Sequence, residues 1–185
     1  WKPEKTRQAL TEQAAAEFAG LAQRLRARGH GAIEVAHFVN RLVFCLFAED
    51  VGLLPLGLVD GMLSLGARNP ASFAPAASEL FQAMRNPGGR VGFQLVQWFN
   101  GGLFDDDRAL PLDAADIAML ERAAALRWDE IDPSIFGTLF ERGLDPAKRS
   151  QLGAHYTDRE KIEILVDAVV LQPLSHEWTA VKSQI

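Results

Sequence analysis

Four histidines, a single cysteine, three consecutive aspartates and a cluster of arginines are the side chains in this 185-residue chain whose types invite a chemical reading. His30, His37, His155 and His176 are never paired at i,i+4, so spacing assembles no two-histidine-plus-acid metal set. Cys45 stands among apolar residues, where a thiol packs rather than reacts, and one cysteine excludes both an internal disulfide and a Cys-x-x-Cys zinc site. His37 could act as a base, but no Ser, Cys or Asp lies at a suggestive spacing, and a structural histidine with a hydrogen-bond partner is the better reading. Asp105, Asp106 and Asp107 point in successive directions and no calcium-loop pattern comes after them, which predicts a solvated acidic turn. Arg24, Arg26 and Arg28 could meet phosphates. A solvated face whose charges suit a helix C-terminus is favoured over that, because surface arginine is common.

The elements that carry these residues are helical. Residues 4–28 are rich in Ala, Gln, Glu, Arg and Leu, with Phe18, Leu21, Ala22 and Leu25 as a stripe and Gly29 and Gly31 as the stop. Ile33 to Ala48 reads as the most buried helix, since every residue from Leu42 to Ala48 is apolar. It is too short to span a membrane, which takes ~20 apolar residues, and Arg41, Glu49 and Asp50 flank the run. His37 and Asn40 on it are expected to be partly buried and hydrogen-bonded. Glycines and prolines then break residues 51–112 into short helices, read as Leu58 to Leu65, Ala76 to Met84 and Val91 to Trp98. Asn100-Gly101-Gly102 is expected to cap the last of these, with Leu103-Phe104 briefly extended. Asp113 caps a further helix over Ile117, Leu120 and Ala124, which Trp128 closes. No repeat of 20–50 residues and no sustained alternation is present in the sequence, so neither a solenoid nor a sheet is expected.

Composition sets the bounds. A 48% hydrophobic and 23% charged chain is an ordinary globular one, able to bury roughly 70% of its unfolded surface without staples. The charge balance, 19 basic against 24 acidic residues, gives −5, whereas a module built to grip DNA is usually basic. No basic, apolar leader is visible, and the lone cysteine fits a reduced, cytoplasmic setting. The chain starts at Trp1 and stops at Ile185 within a helix-like stretch, which reads as a piece of something longer.

The stretch from Ile131 to Thr157, IDPSIFGTLFERGLDPAKRSQLGAHYT, is punctuated by two Asp-Pro helix starts, Asp132-Pro133 and Asp145-Pro146. Between them Ile135, Phe136, Leu139 and Phe140 form an apolar stripe, which Gly143 can close. Thr157-Asp-Arg-Glu160 fits a capping box. The pattern predicts a helix, a short helix, a Gly-Ala-His-Tyr loop and a long third helix.

The phrase IFGTLFERGLDPAKRSQLGAHYTDREKI resembles the junction in MmeI-like DNA methyltransferases, large fused restriction-modification enzymes. AHFVNRLVFCLFAEDVGLLP (Ala36 to Pro55) and FNGGLFDDD (Phe99 to Asp107) extend the likeness over most of the chain, in order. The resemblance implies a helical spacer running into an S-adenosylmethionine-dependent methyltransferase domain. The expected architecture is therefore all-α: an irregular multi-helix spacer over residues 1–150, then the first helices of the methyltransferase domain over residues 151–185. The resemblance implies a parent that methylates the exocyclic amine of adenine in DNA, with an endonuclease as its expected upstream module. A phage-defence methyltransferase without a nuclease is the alternative within the family, and a stand-alone helical protein-interaction module is the alternative outside it.

The catalytic parts of such an enzyme are missing from the sequence. No Gly-x-Gly precedes an apolar strand, and Asn69-Pro70-Ala71 and Asn86-Pro87-Gly88 lack the second proline and aromatic of a base-holding loop. An acid-acid-Lys nuclease set is absent too. One motif carries over: in the family the Gly-Ala-His-Tyr-Thr loop begins the methyltransferase domain and helps to close its cofactor site. The candidates are Gly153, Ala154, His155, Tyr156 and Thr157, with free helix amides suited to the cofactor carboxylate and hydroxyls beside them. The plainer reading has Thr157 only capping its helix and Tyr156 packing on the spacer. The chain is thus expected to be catalytically silent, to bind DNA weakly or not at all outside its parent, to pack on the neighbouring domains there, and to meet no membrane.

Overall fold

The apolar run predicted between Ile33 and Ala48 becomes α2 (Ala32–Asp50), around which the other elements gather. Val35, Phe38, Val43, Cys45 and Ala48 are at most 1% exposed, so the helix is covered on nearly every side. The computed structural model describes residues 4–99, 101–131 and 159–182. α1 (Glu4–Ala27) packs on α2 and on α5 (Ala114–Ala124). α3 (Leu58–Arg68) lies against α5 and α4 (Phe73–Arg85). The fold of the described residues is all-α apart from one minimal hairpin. Helix packing of this kind buries a contiguous apolar core, here running from Ala14 on α1 to Ile131.

Two acids at the end of α2 organise the segments downstream. Glu49 accepts hydrogen bonds from the backbone N–H groups of Gly57 and Val59, the latter at 2.9 Å, and so satisfies free amides at the start of α3. Burial pushes its carboxyl above the usual range, against those two hydrogen bonds. Asp50 accepts from the N–H of Trp128 at 2.7 Å and fixes the 3₁₀ turn Trp128–Glu130 on α2. Trp128 is 1% exposed, donates its indole N–H to the Ala123 carbonyl at 2.9 Å and meets Phe18 edge-on at 5.9 Å.

α5 begins at the predicted cap. The Asp113 carboxylate accepts from the Asp116 N–H at 2.9 Å, and Asp116 returns the bond to the Asp113 N–H at 3.0 Å. Arg24 and Arg28, one turn apart on α1, both reach this pair. Arg24 donates to Asp116 at 2.6 Å and Asp113 at 2.7 Å, and Arg28 to Asp113 at 2.7 Å and to Asp116. Neither of the two readings of these arginines, phosphate contact or a solvated face, anticipated a clamp between α1 and α5. The Asp116 hydrogen bond and charge raise the Arg24 pKa, and the Asp116 N–H with the two guanidinium groups lowers that of Asp113.

The helix expected over Val91 to Trp98 does not form. A hairpin of two-residue strands takes its place, β1 (Arg90–Val91) antiparallel to β2 (Gln94–Leu95), with Arg90 opposite Leu95. This small sheet also corrects the expectation that the chain would contain none. The cause lies in glycines: Gly88 and Gly92 take φ of 76° and 55°, and a side chain at Gly89 would run into the Ala83 carbonyl. Leu103-Phe104, expected to be extended, belongs to a 3₁₀ turn, Gly102–Phe104, whose Phe104 is buried in an aromatic cluster with Phe44, Phe81 and Phe99.

Residues 159–182 form one long helix: α6 (Arg159–Val166), a π-helical turn (Asp167–Leu171) and α7 (Gln172–Lys182). Pro173 explains the wide turn, because its ring crowds the carbonyl four residues back and it has no N–H to give. Gln172 instead bonds the Asp167 carbonyl, five residues away. The boundary expected at residue 150, the Asp132 and Asp145 caps, and the stripe of Phe136 and Phe140 lie outside the described residues.

Trp128→Ala is expected to destabilise the chain by about 3–5 kcal/mol, since it removes a filled core volume. A chemical-denaturation midpoint unchanged from wild type would show that the α1–α2–α5 core does not depend on this side chain.

Candidate functional site

Arg41 is the polar residue that α2 places deepest. It sits on the third turn, in line with His37, and is 1% exposed. A guanidinium stays charged in a protein and presents only donors, so burying it requires acceptors in a matching arrangement. The structure supplies four. Nε donates to the Leu103 carbonyl at 2.6 Å, Nη1 to the Arg108 carbonyl at 3.0 Å, and Nη2 to His37 Nδ1 at 2.7 Å and to the Asp106 carboxylate at 2.8 Å. The cation also lies 5.4 Å from the centre of the Phe81 ring.

The acidic turn is therefore not simply solvated. Asp106 is half in water, but its other face locks onto Arg41, and that hydrogen bond pulls its carboxyl down from 3.8 to about 2. The His37 partner expected from the sequence is present, and it is Arg41. Because a guanidinium can only donate, His37 Nδ1 must accept, and the neutral ring carries its proton on Nε2. That tautomer bars Nδ1 from acting as a base while the contact holds.

A cleft of about 560 Å³ opens beside this node, between the first turns of α2 and residues 106–110. Glu34, His37, Arg41, Asp106 and Arg108 supply its polar lining, and Ile33, Phe38 and Leu110 supply much of the apolar remainder. The charges pair off across it: Arg41 with Asp106 at 2.8 Å, and Arg108 with Glu34 at 3.1 Å. Among the described residues, no Ser, Thr, Cys, Lys or Tyr lines the cleft. With its charges balanced in pairs, the cleft holds residues 103–108 against α2.

Cys45 is fully buried, 3.8 Å from Met84 Sδ, and burial pushes its thiol pKa upward, so it is the inert core thiol expected. No group of three His, Cys, Asp or Glu among the described residues could hold a metal ion. No helix among them is long and apolar enough to cross a membrane. The carried-over cofactor candidates, Gly153, Ala154, His155, Tyr156 and Thr157, lie outside the described residues. What sequence reasoning missed is Arg41 and Asp106. The available signal was the row Glu34, His37, Arg41 along one face of a helix that is otherwise mostly apolar.

Residues 33–104, the stretch from α2 through the aromatic cluster, match the family model described as "MmeI, helicase spacer domain". That stretch is similar to a spacer domain of the MmeI type. Its likeness extends beyond the matched residues: a solved structure of the Type IIL restriction-modification enzyme MmeI in complex with DNA superposes with a TM-score of 0.71 at 29% identity. The superposition covers 91% of this chain and 24% of that one. DNA methyltransferase A of Bacillus subtilis (strain 168) is 27% identical over 147 residues, which is 76% of this chain and 17% of the relative. The chain thus spans no more than about a quarter of the relatives it matches, and what it aligns with is the MmeI-like spacer region of a restriction-modification methyltransferase.

Arg41→Met, which keeps most of the volume, leaves two carbonyls and His37 without their donor and is expected to cost on the order of 2–4 kcal/mol. Asp106 gives a pH signature. Its folded pKa lies below the ordinary value, so its stabilisation is present above about pH 4 and is lost as pH falls toward about 2. The effect is modest for a half-exposed carboxylate. Acid unfolding of Asp106→Asn should therefore be shallower than wild type over that window. Equal slopes in the two proteins would remove Asp106 from the lock.

Proposed function

We propose that this chain is the spacer region of an S-adenosylmethionine-dependent DNA adenine methyltransferase of a restriction-modification system, together with the opening helices of its catalytic domain. The observation that carries the reading is the fold itself, which matches MmeI over 91% of the chain rather than over one motif. In this reading residues 1–150 are a spacer that sets the separation of an upstream module, an endonuclease in the fused enzymes, from the catalytic domain. Residues 151–185 start that domain. The exposed apolar side chains along α6, the π-helical turn and α7, with Ile164 and Val169 each 69% exposed and Trp178 59%, support it, because a helix of this kind needs a covering domain. The setting is cytoplasmic, and duplex DNA is the substrate of the parent.

The internal chemistry of the block agrees. Arg24, Arg28, Arg41, Arg108, Arg122 and Arg127 all pair with carboxylates of the same chain, so they are committed to holding it rather than to phosphates. S-adenosylmethionine would be met at Gly153 to Thr157, with amides at the helix start for its carboxylate and the Tyr156 hydroxyl alongside.

Two measurements on the full-length polypeptide test this. Replacing residues 33–104 by a flexible linker should lower its methyl transfer to DNA by about tenfold or more, through lost positioning. Transfer at the wild-type rate would mean that the block spaces nothing. Tyr156→Ala should weaken S-adenosylmethionine binding about ten- to hundredfold, the equivalent of roughly 1.5–3 kcal/mol for one hydrogen bond to a charged group. Isothermal titration showing wild-type affinity would leave the loop as a structural hinge.

A further inference from the structure

A groove of about 390 Å³ runs between the turn after α2 and the outer side of the hairpin, lined by Gly52 to Pro55 on one wall and Leu95 and Gln97 on the other. Apolar side chains stand open on its lining, Leu53 and Leu95, and on residues close to the lining in sequence. Leu53 is 41% exposed, Leu95 58%, Leu56 78%, Trp98 47%, and Phe93 at the hairpin tip 100%. Single exposed apolar residues are ordinary, but five in the two short stretches that wall one groove, 53–56 and 93–98, are not.

The exposure is built in, not a product of a loose loop. Gly89 seats the hairpin base against the Ala83 carbonyl, the Val96 N–H bonds the Gly89 carbonyl at 2.9 Å, and the Phe99 N–H bonds the Met84 carbonyl at 3.0 Å. Val96 itself is 1% exposed. Phe93 is thus held out from a fixed support.

The charge pattern narrows what could cover it. Residues 51–57 carry no charge, and residues 80–104 carry Arg85 and Arg90 and no carboxylate, in a chain of net −5. Aromatic residues and arginine with few acids are the composition of a protein interface core. Two cations over twenty-five residues are few for a surface that grips duplex DNA.

We infer that this groove is the seat of another domain of the same polypeptide, one that presents an apolar ridge to Phe93 and Leu56 and carboxylates to Arg90 and Arg85. The inference rests on the spacer reading. It takes its occupant from the fact that the chain is 24% of the MmeI chain and 17% of DNA methyltransferase A, so most of a polypeptide built on those lines lies beyond it. A tethered domain also outcompetes a second copy at ordinary protein concentration, because its effective concentration is on the order of millimolar.

The test is photo-cross-linking in the full-length polypeptide, with p-benzoylphenylalanine in place of Phe93 and, separately, of Leu56. Irradiation followed by peptide mass spectrometry should join both positions to sequence outside these 185 residues within one polypeptide, independently of protein concentration. The yield should fall by about tenfold in Leu53→Asp/Leu95→Asp, a change on the groove walls that turns an apolar seat into a charged one. Arg90→Glu should lower it several-fold, with the melting temperature unchanged in both backgrounds. Absence of cross-links, cross-links only between copies, or cross-links only to added duplex DNA would each overturn the inference. Failure here, with linker replacement of residues 33–104 still lowering methyl transfer, removes the seat and leaves the spacer reading intact. Normal transfer after that replacement removes the spacer reading instead.

Discussion

A permanently charged group in the middle of an apolar helix is the constraint on which the rest of this structure depends. Arg41 cannot shed its proton, so α2 can be buried there only if something brings acceptors to it. Residues 103–108 do so, with two backbone carbonyls and the Asp106 carboxylate. Meeting that demand fixes the path of a segment with no long helix of its own. It also sets Phe104 among Phe44, Phe81 and Phe99, and delivers the chain to Asp113, where α5 starts. From there the Asp113–Asp116 cap meets Arg24 and Arg28 and ties α1 down. One buried cation thus propagates through a loop, a helix cap and a second ion cluster to the far end of the block.

The same logic operates at the end of α2. Glu49 satisfies the first amides of α3, and Asp50 satisfies the turn at Trp128. Both acids look like the polar flank of an apolar run, yet each serves an element further along the chain. A spacer needs this kind of wiring. Apolar packing alone is non-directional, and it tolerates small shifts that directional charge-assisted hydrogen bonds do not. If the block holds two modules at a set separation, its polar contacts rather than its core decide how exact that separation is.

This division also marks what was legible in the sequence. The helix periodicity of α1, α2 and α5 could be read because it depends on side chains a few residues apart, and so could the Asp113 cap. Cys45 as core and His37 as a partnered histidine were legible for the same reason. The carboxylate and carbonyl partners of Arg24, Arg28 and Arg41 were not, because they lie 62 to 92 residues away along the chain and no local pattern encodes them. The hairpin was missed for a different reason. Val91 to Trp98 has an apolar spacing compatible with a helix, and the decision falls to Gly88, Gly89 and Gly92, whose backbone angles and close approach favour a tight return. The cofactor candidates at Gly153 to Thr157 rest on family resemblance and on helix-start chemistry, and they lie outside the described residues.

Charge decides how such a block can share in work on DNA. Among the described residues six arginines are committed to its own carboxylates, and the overall balance is −5, so the electrostatic term that dominates DNA affinity is weak here. Its cleft beside Arg41 holds charges paired with one another. What the surface does offer is apolar: the groove at Phe93 and the open faces of α6 and α7. In the spacer reading proposed above, the outward apolar faces would meet protein, and a block with rigid internal wiring would transmit position. If the parent is the methyltransferase proposed above, which must hold a target base within about a fraction of an ångström of its cofactor, position is worth as much as any side chain at the reacting atoms.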